Sequence, residues 1–253
     1  MKKPFSLLLC ALCLSLFGCA AQRPSPMPAD AHALWDGFVS ISRPDAQNHL
    51  AGSLRIGPEQ DTRRVTYALW SVNQPGSPAA IRMEIFAGAG ARACSALFTD
   101  DSMLVLMHQE KTAWTGAPSR RNMERLLGAR LPLSISQLYG FISGDYYHAL
   151  GSPVPQRAES TGAGTAAFHF PASADVRRLE LGADSRPISL SGAGWELALR
   201  YGDDRLPSRL SGNVRTPDAV SRFILLAKER SRTDAASASL PIPPGYQVLP
   251  IDE

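Results

Sequence analysis

The side chains able to do chemistry are few and scattered. Five histidines occur, His32, His49, His108, His148 and His169. None is spaced i, i+4 from another or grouped with other ligands at the intervals a metal site uses. His148 follows Asp145-Tyr146-Tyr147, a spacing that could form an acid–base pair, although a capped helix end with interfacial tyrosines accounts for the same residues more simply. Asp100-Asp101 and Asp203-Asp204 are paired carboxylates of the kind general acid–base catalysis employs. Both fall where hairpin turns are expected, which would leave them solvated. HExxH, GxSxG, CxxC and phosphate-loop patterns are absent. Gly88-Ala89-Gly90 lacks the third glycine and the following helix of a dinucleotide site, so it reads as a hairpin turn. No metal, nucleotide or other cofactor is expected, and no enzymatic activity. A Ser/His/Asp hydrolase stays open as an alternative only because triads assemble from distant positions.

The four cysteines divide sharply. Met1-Lys2-Lys3 is a positive start, and Phe5 to Phe17 is an almost unbroken run of Leu, Cys, Ala and Phe. That run is too short to span a bilayer comfortably and reads as a signal-peptide core, so Cys10 and Cys13 would leave with it. It ends in Leu16-Phe17-Gly18-Cys19, which resembles a bacterial lipobox, with Phe17 bulkier than the usual residue there. The resemblance implies cleavage before Cys19, a diacylglycerol thioether on its sulfur and a membrane anchor worth roughly 0.8 kcal/mol per buried methylene. Without an Asp after the cysteine, it implies the periplasmic face of the outer membrane. Removing residues 1–18 takes Lys2 and Lys3 and leaves 24 basic against 23 acidic residues, net +1, which does not suggest a nucleic-acid binder. Only Cys94 would remain as a free thiol, read as a small buried hydrophobe on a strand.

Residues 19–30, with three prolines between Gln22 and Asp30, read as an extended tether, and 31–253 as the folded domain, opening with a short helix or turn around Leu34 and Trp35. Twenty glycines and twenty prolines are too many for a helical bundle and ordinary for a turn-rich sheet. Period-two alternation predicts strands over 52–56, 65–72, 81–86, 91–98 and 103–108, bounded by Gly, Pro or Asp as in an antiparallel meander. Ser119 caps a predicted helix 120–127 stopped by Gly128, and Ser134 opens a second over 135–142 stopped by Gly144. Strands resume over 177–181, 188–190, 195–201, 206–210 and 223–227. Gly162-Ala163-Gly164 reads as a flexible loop and the Pro-rich tail 240–251 as an edge strand.

The stretch Leu126-Leu127-Gly128-x-x-Leu131-Pro132-Leu133-Ser134-x-x-x-Leu138-x-x-Phe141-x-x-Gly144, following two Leu/Met-rich hairpins, is similar to the LolA/LolB-like superfamily of lipoprotein-localisation proteins. Leu206-Pro207-Ser208-Arg209-Leu210, after Tyr201-Gly202-Asp203, resembles the last part of that family's sheet. The resemblance implies a mainly β chain with short helices (α+β): an incomplete, curved antiparallel half-barrel with helices across its mouth and an apolar interior for acyl chains. On one parity of the strands the candidate acyl-binding residues are Leu69, Met83, Ile85, Leu104, Leu106, Leu197 and Leu199. Leu138 and Phe141, with Leu126, Leu127 and Ile142, would belong to the helical lid. The family's exposed apolar turn residue has no counterpart in Ala87-Gly88-Ala89-Gly90.

These readings predict an outer-membrane, periplasm-facing lipoprotein, monomeric and anchored through Cys19. It would act in lipoprotein localisation or envelope lipid handling, with lipid or lipoprotein cargo and a periplasmic carrier as partners. The alternative is a structural or assembly accessory with a filled core and no ligand.

Overall fold

The computed structural model describes residues 27–42, 48–58, 60–72, 80–87, 90–216, 219–233 and 239–251. The leader, Cys19, most of the tether and Gly88-Ala89 lie outside the described residues. Among the described residues no helix is long and apolar enough to cross a membrane.

Among the described residues, one open, curved sheet of fourteen strands forms the body of the molecule. Helix α1 (Ala29–Ile41) precedes β1 (His49–Pro58), β2 (Arg63–Val72), β3 (Ala80–Ala87), β4 (Ala91–Phe98), β5 (Met103–Met107) and β6 (Thr112–Gly116), each antiparallel to the last. Three short helices follow: α2 (Arg120–Leu127), α3 (Ile135–Ser143) and α4 (Tyr146–Ala149). A second meander comprises β7 (Arg157–Gly162), β8 (Thr165–His169), β9 (Val176–Leu181), β10 (Pro187–Gly192), β11 (Trp195–Tyr201), β12 (Pro207–Arg215) and β13 (Val220–Ser231). The two meanders join where β1 pairs antiparallel with β13, which makes these two strands the middle of the sheet. Finally β14 (Gln247–Pro250) adds in parallel beyond β6 and closes that edge.

Topology places the helices. The chain leaves β6 near one end of the strand order and re-enters at β7 at the other, so the segment carrying α2–α4 connects the two. Local chemistry fixes the ends of these helices. Ser119 accepts the Asn122 amide and Gly128 ends α2 in the left-handed region at φ 65°. Ser134 and Gln137 form a reciprocal capping box at α3, which Gly144 ends at φ 90°. Arg120 pairs with Asp175, which precedes β9 near the opposite edge, tying the helical segment across the sheet. Arg230 on β13, with a side chain only 9% exposed, bonds Asp204 at 3.0 Å. The same guanidinium donates to the carbonyls of Ile142 at 3.2 Å and Pro207 at 2.6 Å, holding the C-terminal end of α3 against the sheet.

The structure differs from the sequence expectations at two hairpins. Gly162-Ala163-Gly164 is the tight turn of β7–β8 rather than a flexible loop, since the flanking strands pair from Arg157↔His169 to Gly162↔Thr165. β6 completes a hairpin with β5 that had no counterpart in the reading. One hydrophobic cluster runs along the inner face of the sheet, joining strand residues such as Leu50, Leu69, Leu179 and Leu210 to Leu131, Leu138 and Phe141 of the helical segment.

Candidate functional site

A cavity of about 30 Å³ lies between the helical segment and the middle of the sheet. Its sheet wall is Leu54 of β1, Val65, Tyr67 and Leu69 of β2, Met83 and Ile85 of β3, and Leu225 of β13. Its helical wall is Leu127 of α2, Leu131, and Ile135 and Leu138 of α3. Alternation explains the sheet wall, because Val65, Tyr67 and Leu69 share one parity on β2, as do Met83 and Ile85 on β3. Register sets these strands side by side: Leu69 pairs with Met83 and Tyr67 with Ile85.

Among the described residues, Tyr67 brings the only side-chain polar atom to this lining, and that atom is already satisfied. Its hydroxyl donates to the Leu226 carbonyl at 3.0 Å. Burial holds the phenol well above its usual range, only partly opposed by the Arg230 charge, so it is neutral at physiological pH. The acceptor lies beside the point where β1 and β13 shift register, between Ala51 and Gly52. Gly52 makes this approach possible: a Cβ there would lie 1.8 Å from the Leu226 oxygen. The cavity therefore offers a ligand dispersion contacts and no open hydrogen-bonding group, a chemistry suited to hydrocarbon. Its volume holds about two water-sized spheres at ~10–15 Å³ each, so a longer chain enters only if the walls part. Leu54, Val65, Leu127 and Ile135 are half-buried while Leu69, Leu131 and Leu138 are buried, which marks the side between α2 and β1–β2 as nearest to solvent.

Of the residues singled out from the sequence, Leu69, Met83, Ile85 and Leu138 line this cavity, with Leu127 from the expected lid. Phe141, Ile142, Leu197 and Leu199 belong to the same inner-face cluster away from it, and Leu126 packs against that cluster half-buried. Leu104 and Leu106 need correction. On β5 it is Met103, Val105 and Met107 that join the inner cluster, so the two leucines point to the opposite face, where Leu106 is nonetheless 2% exposed. Every position of Met103-Leu104-Val105-Leu106-Met107 is apolar, so alternation could not choose a side. Leu54, Val65, Tyr67, Leu131, Ile135 and Leu225 were not singled out, although Val65 and Tyr67 follow from Leu69 by parity. Cys19 lies outside the described residues.

The polar candidates resolve plainly. Asp145 and His148 do meet, at 2.6 Å, beside a surface groove that also includes Ser143. The Ser143 hydroxyl is given to the Gly140 carbonyl rather than to this pair. Asp100, Asp101, Asp203 and Asp204 are exposed, with Asp204 committed to Arg230. Among the described residues no three His, Cys, Asp or Glu side chains converge as a metal site. Cys94 is buried on β4, and burial pushes its thiol up to about 12, which leaves it protonated and unreactive.

One serine–histidine contact had no signal in the sequence. Ser95 Oγ lies 2.8 Å from His108 Nε2, and Tyr246 Oη lies 2.7 Å from His108 Nδ1, on the outer face. Burial, aided by Arg92 and opposed by Glu84, lowers the imidazole below its usual range, so it is neutral near pH 7. Ser95 is only 1% exposed, which closes the hydroxyl to a substrate. The contact instead pins the C-terminal segment beside β5.

Comparison with known proteins agrees with this architecture. No family model matches the chain, and no curated protein matches it either. Solved structures do. A LolA-superfamily protein from Nitrosomonas europaea aligns with TM-score 0.53 at 14% identity, over 81% of this chain and 94% of its own. A DUF1329-family protein from Desulfovibrio piger aligns with TM-score 0.55 at 12% identity, over 83% and 96%. A putative outer-membrane lipoprotein-sorting protein domain from Vibrio parahaemolyticus gives 0.54 at 8% identity, over 81% and 93%. At such identities the likeness is one of fold, and in outline the fold of this chain is that of the LolA superfamily and the lipoprotein-sorting domains.

Proposed function

We propose that the chain is an outer-membrane lipoprotein, anchored through Cys19 and facing the periplasm. Its curved sheet acts as a half-barrel that receives an acyl chain of a lipid or lipoprotein. The observation that carries this reading is the wholly apolar cavity between α2–α3 and the middle of the sheet, where Tyr67, the one polar side chain, is satisfied internally. In this reading α2 and α3 form a lid. Displacing the helical wall from Leu54, Val65 and Ile85 opens a path for hydrocarbon, and hydrophobic transfer drives occupancy at ~25 cal/mol per Å² of apolar surface buried. Cargo passes in and out by mass action with no covalent step, handed over by a periplasmic carrier to a monomeric acceptor.

The small volume of the cavity favours a second reading, an envelope assembly accessory whose core stays filled. The turn 87–90, built only of Gly and Ala, points the same way for insertion activity. Native mass spectrometry of the protein purified from a lipid-containing host separates the two. Co-purified acyl species, displaced by a fluorescent fatty acid, are expected for the carrier, whereas an empty protein that binds no probe overturns it. The anchor is tested on its own. Cys19→Ala is expected to abolish palmitate labelling and membrane fractionation, and unchanged labelling would remove the lipoprotein assignment.

A further inference from the structure

The outer face at the middle of the sheet carries a pattern that the cavity does not explain. Arg55 on β1 and Arg64 on β2 are direct cross-strand partners, and so are Arg200 on β11 and Arg209 on β12. Their inner-facing neighbours Ile56, Val65, Leu199 and Leu210 all belong to the core cluster or pack on it, so alternation turns the four arginines outward. Like charges placed directly opposite one another destabilise a sheet. Yet among the described residues none of the four has an acidic partner within ion-pair distance, and Arg209 Nε is buried with no acceptor. The acids nearby are committed elsewhere: Glu84 to Arg82 and Arg92, Glu196 to Arg215.

Between the two arginine pairs stand Ile224 and Leu226 of β13, both half-exposed, with Leu226 opposite Arg209 and Ile224 opposite Arg55. The result is a belt of two arginines, two aliphatics and two arginines across five adjacent strands, ~19 Å wide at ~4.8 Å per strand. It sits on the face opposite the core cluster at β13–β1, the middle of the strand order.

We propose that this belt docks the protein on a surface of anionic phospholipid headgroups. Guanidinium groups reach phosphates bidentately, while their stems and the intervening aliphatics meet the boundary between headgroup and acyl chain. A polypeptide ligand fits less well. These are central strands whose backbone groups are spent on both neighbours, so no strand can be added there. None of these six side chains lines a pocket, so the patch suits a broad surface better than an inserted segment. The inference stands apart from the proposed acyl site: it needs neither an open cavity nor a lid.

Hydroxyl-radical footprinting of the full chain on vesicles tests it. With phosphatidylglycerol vesicles, oxidation of Ile224 and Leu226 is expected to fall at least severalfold, while Val154 and Ile188, exposed elsewhere, are unchanged. The protection should vanish near 1 M salt, where the screening length is only ~3 Å. It should be absent on phosphatidylcholine and in Arg55→Glu/Arg209→Glu. Should that variant fail to fold, Arg64→Gln serves in its place, and it is expected to lose most of the protection while raising Tm by relieving the Arg55 repulsion. Equal protection on neutral vesicles, or none on anionic ones, overturns the proposal. So does protection by polyglutamate alone, which would assign the face to an acidic protein, or concentration-dependent protection without vesicles, which would assign it to a second copy of this chain.

Discussion

The two halves of the inner face are filled with different materials. Beneath α1 and α4, the second meander is packed with rings. Trp35 lies 5.1 Å from both Phe38 and Phe168 and 6.1 Å from Phe170. Phe38 and Phe141 each lie 6.2 Å from Tyr146. Beneath α2 and α3, where β1–β3 meet β13, the cavity has one ring, Tyr67, and otherwise Leu, Ile, Val and Met. Rings that interlock at these spacings leave little room and resist movement. Branched and flexible aliphatic chains repack at lower cost. The aromatic half is thus the rigid frame that fixes α1 on the sheet, and the aliphatic half is the part able to give way to a ligand.

The contrast can be broken at its strong end. Phe168→Ala removes a fully buried ring that touches Trp35, and it is expected to lower unfolding stability by about 3–5 kcal/mol in denaturant melts. A loss below about 1 kcal/mol would mean that the aromatic half is no frame.

Overpacking sharpens the same contrast. Leu69→Phe places extra carbon where the cavity can absorb it, so a cost under about 1 kcal/mol is expected, together with weaker binding of a fluorescent fatty acid. Leu197→Phe and Leu106→Phe enter closed packing, the first on the inner face and the second on the outer, and each should cost about 1–3 kcal/mol without a specific effect on the probe. Equal costs at positions 69 and 197 would favour the filled-core accessory.

The smallest expected effect lies on the outer face. His108 has a folded pKa below its unfolded value, so the unfolded chain binds the proton first as pH falls. Stability from this group is therefore present above about pH 6.5 and declines below it toward the lower folded pKa, where the loss levels off. His108→Gln should flatten that portion of the stability profile. An unchanged profile would show that Ser95 and Tyr246 hold the imidazole equally well in both charge states.

Local sequence determined the elements whose reasons are local. Ser119 with Gly128, and Ser134 with Gln137 and Gly144, state the ends of α2 and α3 in residues a few positions apart, and both helices fall where these caps put them. The alternation of Val65 to Leu69, Ile81 to Ile85 and Trp195 to Tyr201 fixed which side chains face inward, because a polar residue or an alanine separates the large apolar ones. Only the tertiary structure decided the rest. β5 is apolar at every position, so its facing depends on neighbouring strands and the covering helices. β7 has no large apolar residue and becomes a strand because β8 offers it an edge to pair with. The cavity needs Leu225 beside Leu54, positions far apart in sequence that meet because β13 returns to pair with β1, and loop closure over such a distance leaves no mark in any short window. The arginine belt has the same origin: each arginine reads singly as a solvated surface charge, and cross-strand register alone sets one against another.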